Sequence, residues 1–183
     1  MKFNTNNQDA VLNLGGDFAA TGNVAITNAG YTGANLNVVN LVGGDRTFNI
    51  AAGTTTTVAS AVAGSTSLIK IGTGTLTLDG AQNYPDLATV ASTTNLNKAL
   101  GTGGSSIFSN GKTNIAVEQT LASLDIADGG VVTLGAPFSA AAPEFAENAE
   151  VGFAEGGAQA VPEPGSASLL ILGALGLIGR RKR

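Results

Sequence analysis

The sequence predicts an all-β body, an extended linker and one apolar C-terminal α-helix. Three observations carry that reading. A triplet of two apolar residues around a small or polar one recurs along the first third of the chain, the composition favours strands and tight turns, and an oily run stands just before the chain end.

The alternation is clearest early. Leu12-Asn13-Leu14, Val24-Ala25-Ile26, Leu36-Asn37-Val38 and Phe48-Asn49-Ile50 follow one another at an even spacing of twelve residues. Side chains two positions apart share one face of a strand, so each triplet offers an apolar pair to a core. The gaps read GGDFAATGN, TNAGYTGAN and VNLVGGDRT. Gly and Asn in them tolerate the positive φ of tight turns. Further strand signals stand at Thr75-Leu76-Thr77-Leu78, Ala88-Thr89-Val90, Asn114-Ile115-Ala116-Val117, Leu124-Asp125-Ile126 and Val132-Thr133-Leu134. Residues 95–100 read as one helical turn or a loop. Short strands at regular spacing suit a sandwich, a barrel or a solenoid. Two twelve-residue units make a 24-residue coil, and an antiparallel meander fits the same periodicity equally well.

Composition narrows the chemistry. Apolar residues make up 43%, enough for a core, but only 12% are charged, against a usual fraction of about 25%. With neither Cys nor His, zinc, haem and iron–sulfur sites lack their usual ligands, and a Ser–His–Asp or Cys–His nucleophile cannot be assembled. Four of the nine cations are Arg180, Arg181, Lys182 and Arg183; the rest of the chain sets five cations against 13 carboxylates. An acidic body of this kind is a poor nucleic-acid binder, because phosphate contacts need clustered Lys and Arg.

The stretch Ile69-Lys70-Ile71-Gly72-Thr73-Gly74-Thr75-Leu76-Thr77-Leu78-Asp79-Gly80-Ala81-Gln82-Asn83-Tyr84 resembles one autotransporter-associated β-strand repeat, whose core runs GxGTLTLxGxNxY. The following PDLATV departs from that repeat's glycine- and threonine-rich turn. The resemblance implies a right-handed parallel β-solenoid on a secreted surface protein, and it tips the body, residues 1–136, towards a solenoid fragment. Residues 137–160 hold Pro137, Pro143, Glu144, Glu147, Glu150 and Glu155 without a cation. They read as an acidic, extended Pro/Ala/Glu linker.

The last segment is VPEPGSASLLILGALGLIGRRKR. Residues 165–179 span about 22 Å as a helix at ~1.5 Å per residue, short of a ~30 Å bilayer core. No polar stripe gives them a surface face, and the cations behind can snorkel to lengthen the span. Membrane insertion with the basic end in the cytoplasm is the reading these residues favour over a core helix. Val161, Pro162, Glu163 and Pro164, the apolar helix, and Arg180, Arg181, Lys182 and Arg183, in that order, resemble the PEP-CTERM sorting signal of Gram-negative bacteria. The resemblance implies export, transient anchoring in the inner membrane, and processing by an exosortase, the partner that supplies the chemistry. It further implies delivery to the cell surface or an exopolysaccharide matrix. Proteins with this signal usually carry an N-terminal leader; MKFNTNNQDAVLNLGGDF has no apolar h-region, so the expectation is that the leader and further coils lie upstream.

No catalytic, cofactor or metal site is expected. Asp125 and Asp128 lie near a Gly-Gly turn, and Asp17 and Asp45 each follow Gly-Gly. Turn chemistry accounts for all four, with calcium binding and acid catalysis as the alternatives. Tyr31 and Tyr84 are candidates for stacking on a sugar. The function expected is a non-enzymatic, adhesin-like or structural surface protein. The alternatives are a solenoid lyase or hydrolase, and a protein left permanently anchored in the inner membrane.

Overall fold

The computed structural model describes residues 2–3, 10–28, 37–101 and 104–154. Among these there is no helix, and every strand pairing is parallel. The body is therefore a parallel β-solenoid; the meander is excluded.

After a two-residue strand β1 (Lys2–Phe3), the chain winds through coils of up to three strands. The first holds β2 (Val11–Leu14), β3 (Phe18–Ala20) and β4 (Val24–Asn28); the second β5 (Val38–Leu41), β6 (Arg46–Ile50) and β7 (Thr55–Val58). The third holds β8 (Ala61–Gly64), β9 (Leu68–Ile71) and β10 (Thr75–Leu78), and the fourth β11 (Gln82–Asn83), β12 (Asp86–Thr89) and β13 (Thr93–Leu96). Then follow β14 (Ser106–Ser109) and β15 (Lys112–Ile115), β16 (Gln119–Ile126) and β17 (Val131–Leu134), and finally β18 (Phe138–Phe145) and β19 (Glu150–Phe153). Stacking makes three sheets: eight strands from β1 to β19, four strands β11-β8-β5-β2, and seven strands from β18 to β3.

The coil is not the expected 24 residues. Asn95 stacks on Thr77, 18 residues back, and Asn114 on Asn95, 19 residues back. Earlier coils are longer: Asn40 meets Asn13 at a separation of 27. Of the evenly spaced early triplets, the first and third reach neighbouring strands of one sheet, β2 and β5, but the second and fourth fall in different sheets. Val24, for instance, pairs with Thr56 and not with Phe48.

The core is a set of inward columns in register. Ile26, Val58, Leu78, Leu96, Ile115 and Leu134 follow one another along the eight-stranded sheet, each buried. On the facing side Leu68, Leu87, Ile107 and Leu124 do the same. Each such side chain taken from water contributes about 1.5–3 kcal/mol. One corner is polar instead. Phe48, Lys70, Thr89, Ser109 and Ile126 form one column, and Thr94 and Thr113 stand beside it. The Thr89 hydroxyl donates to Thr94 Oγ1 and accepts from Thr113 Oγ1, both at 2.9 Å. All these side chains are buried.

Three expectations are corrected. Of residues 95–100, read as a helical turn or a loop, 95 and 96 end strand β13, whose Thr94 and Leu96 both point inward, and 97–99 are loop. In β12 the inward pair is Leu87 and Thr89, leaving Val90 exposed. The linker does not start at Pro137: β18 and β19 continue the stack, with Phe138, Leu121's neighbour Ala140, Pro143 and Phe145 in inward register. Small alanines hide the alternation there, and Pro143 is tolerated because β18 is an edge strand. Nothing among the described residues stacks on this last coil, so Phe145 and Phe153 stay 38% and 55% exposed.

Candidate functional site

The Gly-Gly-Asp triplets join coils. Asp17 Oδ1 accepts the Thr47 N–H and Asp45 Oδ1 accepts the Ser67 N–H, each at 2.9 Å. Asp128 Oδ1 accepts Asn148 Nδ2 at 2.7 Å. Each carboxylate satisfies a donor one coil further on, which is turn chemistry. Among the described residues no group of three or more Asp or Glu could hold a metal ion.

Tyr84 is fully buried, and burial pushes its phenol well above its ordinary value; it cannot stack on a sugar. Tyr31 lies outside the described residues. Lys70, the lysine that opens the repeat-like stretch, is turned inside. Its Nζ donates to the carbonyls of Gly72 at 2.7 Å and Ala91 at 3.1 Å, and burial lowers its pKa to about 8. The repeat residues thus build the coil, consistent with a repeat-type body.

Two outward faces differ in kind. The eight-stranded sheet carries Thr57, Thr77, Asn95, Asn114 and Thr133 in one row. Asn114 Nδ2 donates to Asn95 Oδ1 at 2.7 Å and Asn95 Nδ2 to Thr77 Oγ1 at 3.2 Å. The three central residues of this row bond one another along the solenoid axis.

The seven-stranded sheet carries a groove of about 290 Å³. Its floor is a grid of two outward residues per rung: Ser67, just before β9, and Ile69, then Asp86 and Ala88, Ser106 and Phe108, Ser123 and Asp125. One row is hydroxyl and carboxylate, and the other is apolar until it ends at Asp125. Ala88 is a notch between Ile69 and Phe108, which stand on the two neighbouring rungs. Asp45 closes one end, and the Ser67 hydroxyl donates to Asp86 Oδ2 at 3.3 Å. Of the acids singled out in the sequence, Asp125 lines the groove while Asp128 sits in the following turn. Asp86 and Phe108 were not singled out. Their common face follows from register, which one strand's sequence does not contain.

The sorting residues Val161, Pro162, Glu163 and Pro164, the expected helix 165–179 and Arg180, Arg181, Lys182 and Arg183 lie outside the described residues. Among the described residues no helix is long and apolar enough to cross a membrane. Fold and chain end together define a parallel β-solenoid that bears a sorting signal. A family model described as the PEP-CTERM protein-sorting motif matches residues 160–183. The motif directs exosortase-dependent export and sorting to the cell envelope. No curated protein and no solved structure matches the chain.

Proposed function

We propose that this chain is a non-enzymatic structural or adhesin-like protein of the cell surface or its exopolysaccharide matrix. The carrying observation is the PEP-CTERM motif at residues 160–183 behind a β-solenoid. In this reading residues 165–179 hold the exported chain briefly in the inner membrane. Pro162 and Pro164 restrict the backbone around Glu163, presenting an extended segment with few states to freeze when the exosortase binds it. Arg180, Arg181, Lys182 and Arg183 keep the far end in the cytoplasm.

Replacing Pro162, Glu163 and Pro164 together by Ala tests this. The expected result is retention of the full precursor mass in the inner membrane and loss of surface delivery. Unchanged mature mass and unchanged delivery would overturn it. A wild-type chain that keeps its full mass in the inner membrane would establish the permanent anchor instead.

A second reading, a solenoid lyase or hydrolase, is favoured by one observation: Asp86 and Asp125 line the same groove. Release of reducing ends from a polysaccharide by the wild type, abolished in Asp125→Asn, would establish it.

A further inference from the structure

We propose that the groove on the seven-stranded sheet is a binding subsite for an uncharged sugar residue of a glycan chain, seated over Ala88. The surface reading above supplies the source of the glycan, and the inference rests on it in that respect only; the chemistry of the site stands on the groove itself.

A pyranose ring has an edge of hydroxyls and a face of C–H groups. The grid presents the same division. Ser67, Asp86 and Ser106 offer donors and acceptors in one row, and Ile69, Ala88 and Phe108 offer apolar surface in the other. Adjacent rungs lie about 4.8 Å apart, so Ile69 and Phe108 flank a notch about two rungs wide above the small Ala88. A ring lying in that notch sets its C–H face on Ala88 and against Phe108. Its hydroxyl edge then meets the Asp86 carboxylate, which has one oxygen engaged by Ser67. Such a layout, apolar surface with a few placed polar groups, is what small-molecule recognition generally uses.

Charge selects the class of sugar. Asp45, Asp86 and Asp125 line the groove, and among the described residues no Lys or Arg does. A uronate or sulfated sugar would bring a like charge against them, so acidic glycans are disfavoured. The opposite Thr/Asn row offers no such site, since its amides bond one another and it has no aromatic residue.

The test is binding of the full chain, in mild detergent, to an array of neutral and acidic oligosaccharides. The expected result is binding to at least one neutral member and none of comparable strength to acidic ones. Ala88→Leu, which fills the notch, and Phe108→Ala, which removes its wall, should each weaken that binding about tenfold or more, while Thr77→Val on the other face leaves it intact. Absence of binding to any neutral glycan would overturn the proposal, as would equal binding to acidic ones or survival of binding in both groove variants. Surface delivery that depends on Pro162, Glu163 and Pro164 is read separately, so failure here leaves the sorting reading standing, and the reverse.

Discussion

Lys70 Nζ donates to the carbonyl oxygen of Ala91, one coil further on, at 3.1 Å. A fully buried lysine thus ties two rungs together by its tip, and its own backbone belongs to β9. The ammonium is held by two carbonyls but loses its water, and the loss dominates.

The pH dependence follows from proton counting. Burial lowers the Lys70 pKa from 10.5 to about 8. Between those values the unfolded chain holds a proton that the folded chain has released, so stability rises with pH across that window. Below about pH 8 both states are protonated and this contribution is flat. Tyr84 acts oppositely, because burial raises its pKa from 10.0: above that pH the unfolded chain loses a proton the folded chain keeps, and stability falls. Urea midpoints measured from pH 7 to 11 should rise and then turn down. Lys70→Met should flatten the rise, and Tyr84→Phe the fall. A Lys70→Met chain with the wild-type slope between pH 8 and 10 would contradict the burial of this amine.

Ser92 adopts φ 58°, the one non-glycine residue with positive φ among those described. It occupies a turn between the seven- and eight-stranded sheets where an earlier coil uses Gly72 at φ 74°. A side chain in that region costs about 1 kcal/mol or more. Ser92 recovers part of this through its hydroxyl, which donates to the Thr73 carbonyl at 2.9 Å. Ser92→Gly should therefore stabilise by about 0.5 kcal/mol, read as an increased urea midpoint. A loss of stability would mean that the hydroxyl bond outweighs the strain.

Gly80 has no room for a side chain. A Cβ there would overlap the carbonyl oxygen of Ser60, a backbone atom of the preceding coil. Gly80→Ala should cost about 3 kcal/mol by forcing the two coils apart. Gly16, which has nothing near its Cβ position, is the control. Gly16→Ala should change stability by no more than about 0.5 kcal/mol. Equal effects at the two sites, by chemical denaturation, would argue against the close approach of these coils.

Thr89 sits at the centre of the buried hydroxyl chain. Thr89→Val removes the acceptor of Thr113 and the donor to Thr94, at a cost of about 2 kcal/mol. Thr113→Val in addition should cost less than the sum of the two single changes, because a pair removed together leaves fewer buried groups unmade. A strictly additive pair would show that the hydroxyls do not act as one network.

The apolar alternation read from the sequence found the inward pairs Phe48 and Ile50, Leu76 and Leu78, and Val132 and Leu134, all buried. It failed where inward positions are polar. Lys70, Thr89, Thr94 and Thr113 face the interior, and a rule that sends polar residues to water places them outside. Thr89 led to the opposite face assignment for β12, with Val90 inside. It failed again at β18, where alanine is too small to announce a side. The outward groove was legible only in its parts. Asp125 was noticed for its neighbour Asp128, yet it shares a surface with Asp86 and Phe108, and that follows from the length of each coil. The sorting signal, by contrast, is linear, and its order of prolines, oily run and cations can be read without a fold.

Every sheet is a succession of neighbours, and from the fourth coil onward the partner of a strand lies about one coil away along the chain. Each turn closes a short loop and needs only the turn beneath it. A chain threaded outward with its first residues leading can therefore complete rung after rung as it emerges, each finished rung resisting backsliding. On the proposed reading, in which the final residues are held at the membrane until the exosortase acts, construction reaches almost to Phe153 before release, and what is freed is a finished object.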